Sequence, residues 1–244
     1  MNKVLILSDI HYPHHDKPCM RAIEKFMPDF KPDILIYLGD QLDLGMIMDY
    51  WKGHIGDIKE QSVISDYEGF DEMMRRHIKL CGKPKVVFFE GNHEERIPRL
   101  IQQQPLHRKS DIILEKFFKF KERGIEFIPF NKIYKVGKLY FLHGVYYNQY
   151  HAKKTVDAYK RSVIYGHAHD TQSYSDVSPF DVNDVHIAKS IGCLANCNPT
   201  YKKNAPNRWV HGFAVAYVMD NGNFNDYFIK ITRGKFIYGG KQYG

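Results

Sequence analysis

"VVFFEGNHEER", residues 86 to 96, sets an apolar run, Val86 to Phe89, against a string of polar side chains from Asn92 to Arg96. The run reads as a buried strand, and a surface loop alone would account for the polarity that follows. Other apolar runs end the same way. "LILSDIH" closes on Asp9 and His11, "ILIYLGD" on Asp40, "LYFLHG" on His143, and "SVIYGHAH" on His167 and His169. Each delivers a carboxylate, imidazole or amide just past its apolar stretch. In α/β sheets the carboxyl ends of the strands share one edge, where ligands bind.

Working outward from these runs, strands are expected at 3–8, 33–38 and 85–89, then at 125–128, 132–136, 138–142, 162–165, 185–190, 211–219 and 224–231. Helices are expected at 18–27, 60–81, 95–104, 110–121 and 151–160; the second carries Phe70, Met73, Met74, Ile78 and Leu80 at roughly helical spacing. Alternation first and strand-rich segments later predict a layered α/β fold with mixed sheets, two of them packed face to face. No Pro/Gly/Ser-rich linker or repeat divides the 244 residues, so one domain over 1–244 is expected.

A hydrophobic fraction of 43% is enough for a substantial core, and a net charge of +7 suits an anionic substrate or partner without establishing one. Cys19, Cys81, Cys193 and Cys197 fit neither a secreted disulfide framework nor a paired zinc pattern, and read as free thiols of a reducing cytoplasm. The apolar stretch before Ser8 is too short for a signal peptide or a membrane span.

Asp9 and His11 are two apart, as are His167 and His169. In extended backbone both members of each pair would project to the same side and could share one metal. Asn92 and His93 are adjacent and should point apart, so one can ligate while the other faces substrate. Glycines at 39, 91, 144 and 166 permit close backbone approach beside these residues. A lone histidine at a strand end is usually solvated or hydrogen-bonded. Two Asp, one Asn and four His recurring at strand ends are the mixed O and N donors that two divalent transition metals require.

In chain order, "SDIH", "GDQLD", "GNHE", "HG" and "GHAH" resemble the ordered blocks of the calcineurin-like metallophosphoesterase superfamily. The resemblance spans residues 8 to 169. It implies a four-layer α/β/β/α sandwich, two mixed sheets flanked by helices, with a dinuclear site at one edge. Carried over by residue, one metal would take Asp9, His11, Asp40 and His169, and the other Asp40, Asn92, His143 and His167, with Asp40 bridging. That donor set favours Mn2+ or Fe, with Zn2+ or Ni2+ also open. Two such ions about 3.5 to 4 Å apart hold a bridging hydroxide and clamp a phosphate for in-line attack. His93 resembles the family's catalytic histidine, the candidate general acid. Asp43 matches the second acidic position of the GDQLD block. It reads either as the carboxylate that orients His93 or as a turn or helix-start Asp. Glu94 falls where the family keeps a structural acid.

The sequence departs from the protein-phosphatase form of the family at Leu44, which stands where those members carry an Arg that grips phosphate. Arg96 could grip phosphate instead, or be solvated; His14, beside His11, could touch substrate or be an ordinary loop histidine. Residues 45–57, with Met46, Met48, Tyr50, Trp51 and His54, read as a lid or as a packed helix. "NPTYKKNAPNRWVHGF", with Tyr201, Lys202, Lys203, Arg208, Trp209 and His211, could bind a nucleic-acid strand by phosphate contact plus stacking, or be an exposed turn. The expected protein is a cytoplasmic, metal-dependent phosphoric ester hydrolase with no membrane partner, acting on phosphodiesters of nucleic acid or nucleotides. The alternatives are a phosphomonoesterase on small phosphorylated molecules or protein, and a scaffold that keeps the fold without catalysis.

Overall fold

The computed structural model describes residues 1–47, 60–103, 112–199, 203 and 205–244. The chain opens with β1 (Asn2–Leu7), α1 (Lys17–Phe30), β2 (Ile34–Tyr37), α2 (Glu60–Leu80) and β3 (Lys85–Phe89). It continues through α3 (Arg96–Gln103), α4 (Leu114–Phe118), β4 (Glu126–Ile128), β5 (Tyr134–Val136), β6 (Leu139–Leu142), α5 (His151–Tyr159) and β7 (Ser162–Tyr165). The remaining strands are β8 (Ser173–Val177), β9 (Val185–Ser190), β10 (Gly212–Val218), β11 (Phe224–Lys230), β12 (Phe236–Tyr238) and β13 (Lys241–Tyr243).

One sheet runs β11-β10-β1-β2-β3-β4, with β1 to β4 parallel and β10 and β11 antiparallel. The other runs β5-β6-β7-β9-β8, with β6, β7 and β9 parallel and an antiparallel strand at each edge. Strands buried on both faces read as continuous apolar runs, and alternate residues then serve two different cores. Leu5 and Leu7 of β1 pack with Ile23 and Phe26 of α1 and Phe70 and Met74 of α2. Val4 and Ile6 turn the other way, onto Leu139, Phe141 and Ile164 of the second sheet. That sheet's outer face places Val163 and Tyr165 against Val156 of α5. The layers are therefore helices, sheet, sheet, helix, the sandwich expected above.

Several expectations change. β8 shows a mostly exposed burial pattern, so no apolar alternation marks it in the sequence, and it exists as an edge partner of β9. The β12–β13 hairpin turns at Gly239 and Gly240 and packs Phe236 and Tyr243 on Phe26. The helix expected at 110–121 contracts to α4, because Lys119 adopts a left-handed conformation that caps it. Met48, Tyr50, Trp51 and His54 of the lid-or-helix stretch, and Tyr201 and Lys202 of the late basic segment, lie outside the described residues.

Candidate metal centre

Parallel strands place their carboxyl ends together, and the chain turns sharply there. Asp9, His11, Asp40, His167 and His169 all have positive φ, between 52° and 68°. Asp, Asn and His tolerate this left-handed region better than most side chains, yet each such residue carries strain. The backbone of the two-apart pairs is thus turned rather than extended, so the same-side projection expected of both pairs does not hold for His167 and His169, whose ligand atoms separate as in the assignment carried over with the resemblance. Asp9 and His11 stay together, while His167 and His169 part.

Asp9, His11, Asp40 and His169 bring ligand atoms within 4.8 Å of one another, all buried. His11 Nε2 faces His169 Nε2 at 3.1 Å, and His169 Nε2 lies 3.1 Å from Asp9 Oδ1. Asp40, His143 and His167 form a second such group. There His143 Nε2 lies 3.3 Å from Asp40 Oδ2, and Asn92 Oδ1 sits 3.0 Å from His143 Nε2 and 2.7 Å from His167 Nδ1. Asp40 belongs to both groups, so the seven residues named from sequence meet as two clusters joined at one carboxylate.

The donor chemistry fits divalent cations. His143 donates from Nδ1 to the Leu38 carbonyl at 2.9 Å, and His11 donates from Nδ1 to Asp43 Oδ1 at 3.1 Å. Both imidazoles thereby present Nε2 to the clusters, as ligating histidines do. Burial opposes charge on Asp9 and Asp40, but the surrounding imidazoles hold both carboxyls below their usual range. Against burial, Asp40 and Asp9 raise His143 to about 10. The carboxylates demand positive charge at this point, and a cation can supply it in place of the proton.

Three carboxylates, Glu94, Asp40 and Asp9, also fix the loops through backbone N–H groups. Glu94, fully buried, accepts from the N–H groups of Asp40 (3.0 Å), Gly91 (2.9 Å) and Leu42 (2.8 Å), tying the β2 tip to the β3 tip. Asp40 Oδ1 accepts from the His93 N–H at 2.9 Å, and Asp9 accepts from the His167 N–H at 3.0 Å. Gly91 is required by this closeness, since a Cβ there would overlap Asp40.

His93 stands edge-on to His11 with ring centroids 4.4 Å apart. Its expected partner changes. The Asp43 carboxylate goes to His11, and is 3.9 Å from His93 Nδ1, which donates instead to the Asp43 main-chain carbonyl at 2.5 Å. Burial works against the charge on Asp43, but His11, with His93 and His14 adding to it, keeps its carboxyl below the usual range. Burial lowers His93 to about 4, although Asp40 pulls the other way. Arg96 donates from Nη1 to the Asp43 carbonyl at 2.8 Å, so it anchors the same loop rather than standing solvated. His14 is exposed, and Leu44 is buried in the core.

Two aromatic rings flank the clusters. Trp209 stands against His169 with centroids 4.2 Å apart, and Tyr147 against His167 at 5.8 Å. Tyr147 was not singled out from sequence, although "HGVYYNQY" concentrates tyrosines just after His143. An open groove of about 1090 Å³ lies elsewhere, by Lys138, Arg161 and His186, and none of the clustered residues lines it.

The chain belongs to the calcineurin-like phosphoesterase family, whose model matches residues 2–219. The Gene 54 protein of Mycobacterium phage L5 is 25% identical over 252 residues, covering 98% of this chain and 97% of that protein. The Gene 54 protein of Mycobacterium phage D29 is 25% identical over 254 residues, with the same coverage. Among solved structures, Vps29 of Entamoeba histolytica complexed with zinc shares the fold at a TM-score of 0.50 and 11% identity, covering 96% of each chain. Family and clustered Asp and His residues together indicate a metal-dependent hydrolase of phosphate esters. No helix among the described residues is long and apolar enough to cross a membrane.

Proposed function

We propose that this chain is a cytoplasmic phosphodiesterase of nucleic acid or nucleotides, built as one domain over 1–244 and working with two divalent metals, Mn2+ or Fe ahead of Zn2+ or Ni2+. The observation that carries the reading is the sharing of Asp40 by two groups of ligand atoms. Asp9, His11, Asp40 and His169 would hold one ion, and Asp40, Asn92, His143 and His167 the other. Ions so held supply Lewis-acid polarisation of the ester and a water nucleophile of lowered pKa.

The remaining chemistry falls to the chain. His93, with Nδ1–H committed to the Asp43 carbonyl, leaves Nε2 to protonate the departing ester oxygen. Burial lowers the pKa of that ring, and the negative charge of a bound phosphate would act against the lowering. Asp43 orients His11 through Nδ1, and Arg96 holds the Asp43 loop in place. Tyr147, 76% exposed, and Trp209 give flat faces on either side of the scissile position, suited to stacking bases. The excess of basic residues favours a polyanion.

The deciding experiment compares bis-p-nitrophenyl phosphate with p-nitrophenyl phosphate, using metal-stripped protein refilled with Mn2+. Diester preference that Asp40→Asn abolishes supports the reading. Monoester preference would move it to a small-molecule phosphatase, and no metal-dependent turnover of either would favour a scaffold.

A further inference from the structure

Asp16 and Cys19, at the start of α1, Cys197 and His211 come from three stretches of the sequence and belong to neither cluster at the strand ends. Ligand atoms of Asp16, Cys19 and His211 lie within 4.8 Å of one another. The thiols of Cys19 and Cys197 both adjoin the His211 ring, with Cys197 outside that group of three. All the chain's cysteines are free, and Cys19 is buried.

Each donor is held in place by a contact that leaves a ligand atom over. Asp16 caps α1, where Oδ1 accepts from the Cys19 N–H at 2.8 Å and Oδ2 remains. His211 donates from Nε2 to the Ala195 carbonyl at 2.8 Å, with Asp16 Oδ2 3.9 Å from the same nitrogen, and Nδ1 is left as its ligand atom. Charge is already separated within the group. The hydrogen bond from Cys193, and then His211, bring the Cys197 thiol down to about 5 in spite of burial. Against burial, the two thiols raise His211 to about 11.

We propose that Asp16, Cys19, Cys197 and His211 form a mononuclear zinc site, separate from the Asp40 centre. Two thiolates, an imidazole and a carboxylate are four ligands of the borderline-soft kind that tetrahedral Zn2+ takes. The strand-end clusters contain no sulfur, so the two sites differ in metal preference. Binding releases the thiol proton of Cys19 and any proton on Cys197 or His211 Nδ1 to solvent, with no change in oxidation state.

The site's neighbours indicate its use. Asp16 N–H donates to the Leu194 carbonyl at 2.8 Å, and Leu194 N–H donates to the carbonyl of Asp9 at 3.0 Å. Val210 N–H donates to the His169 carbonyl at 2.8 Å, one residue from His211. An ion here therefore clamps together three segments, two of which lean directly on Asp9 and His169, including the one that bears Trp209.

The test is spectroscopic. Reduced, metal-stripped, full-length protein is titrated with Co2+, since sulfur-to-cobalt charge-transfer absorption arises only where cobalt meets thiolate. One equivalent per chain should give that absorption, Zn2+ should bleach it, and Asp40→Asn should retain it. Cys197→Ser and Cys19→Ser should each lose it. Absence of charge transfer in the reduced wild-type protein overturns the proposal, as does its persistence in both cysteine variants. The wild-type spectrum decides without any variant, so a poorly folding Cys19→Ser does not blunt the test, and phosphoesterase activity does not enter the readout.

Discussion

Glu94→Gln isolates the carboxylate that fastens two loops carrying clustered ligand residues. Glu94 Oε2 accepts two backbone N–H groups, from Asp40 and Gly91, and Oε1 accepts the third, from Leu42. A glutamine can keep its one carbonyl oxygen on the first two. Its NH2 must then face the Leu42 N–H, donor against donor, in a site with 0% exposure. An unsatisfied buried group costs about 1 to 3 kcal/mol. Removing the charge returns part of this, because burial and the nearby Asp40 carboxylate raise Glu94 to about 7. The net loss is about 1 kcal/mol, which at this chain length lowers Tm by roughly 2 to 4 °C. Metal affinity at the Asp40 centre should fall by about 10- to 100-fold, as when a residue orienting a ligand is lost. Thermal unfolding of stripped protein gives the first quantity and metal titration the second. Amide hydrogen exchange at Asp40, Leu42 and Gly91 should also accelerate. A Tm within about 1 °C of wild type, with exchange at those amides unchanged, would refute the clamp.

Other predictions follow from the same geometry. His93→Ala should lower kcat by about 10²- to 10⁴-fold while metal content stays at the wild-type value; a loss of metal instead would make His93 part of the binding set. Gly166→Ala places a Cβ against Ser8 Oγ and Asp9 Oδ2, and should lower stability by about 1 to 3 kcal/mol and impair metal binding, whereas Gly124→Ala, with open space around it but φ of +67°, should affect stability alone. Against burial, hydrogen bonds from His77 and Arg76 hold the Glu24 carboxyl down to about 2, below its ordinary 4.5. A depressed carboxyl stabilises fully above its unfolded pKa. The Tm gap between wild type and Glu24→Gln should therefore be constant above about pH 5 and shrink as pH falls from 4.5 toward 2; a gap independent of pH would remove Glu24 from the acid response.

The clustered residues were legible because each closes a run that must be strand. Burial on both faces makes β1, β2, β3, β7 and much of β10 read as unbroken apolar stretches, and the polar residue after such a stretch stands out. β8 gave no such signal, since its residues face solvent and only the ladder to β9 defines it. The β12–β13 hairpin did carry one, Gly239-Gly240 between aromatic residues, which the emphasis on strand-end ligands passed over. Side-chain partners were the least legible. Period-two reasoning put Asp9 beside His11 correctly and put His167 with His169 wrongly, because turned backbone does not keep the period of a strand. Asp43 could not be assigned from its block, since carboxylate and carbonyl of one residue serve two different histidines.

Left-handed backbone at Asp9, His11, Asp40, His167 and His169 needs a force to hold it, at roughly 1 to 3 kcal/mol for each such residue. Part of the force comes from Asp9 and Asp40, carboxylates that would meet the metals, and part from the buried Glu94. Asp9 accepts the N–H of His167, Asp40 accepts the N–H of His93, and Glu94 accepts the N–H of Asp40. Each acid belongs to one loop and secures the backbone of another, so β1 is tied to β7 and β2 to β3 across the edge of the sandwich. A carboxylate has lone pairs enough to accept an N–H and still face a cation. Replacing it with an amide therefore acts twice, by weakening the ligand and by loosening a neighbouring strained loop, and Asp9→Asn should disturb His167 as well as the cluster it sits in. Hydrogen exchange at the His167 amide separates these effects: exchange unchanged in Asp9→Asn would mean that the strained loop is held by its own packing, and that the acid serves the metal alone.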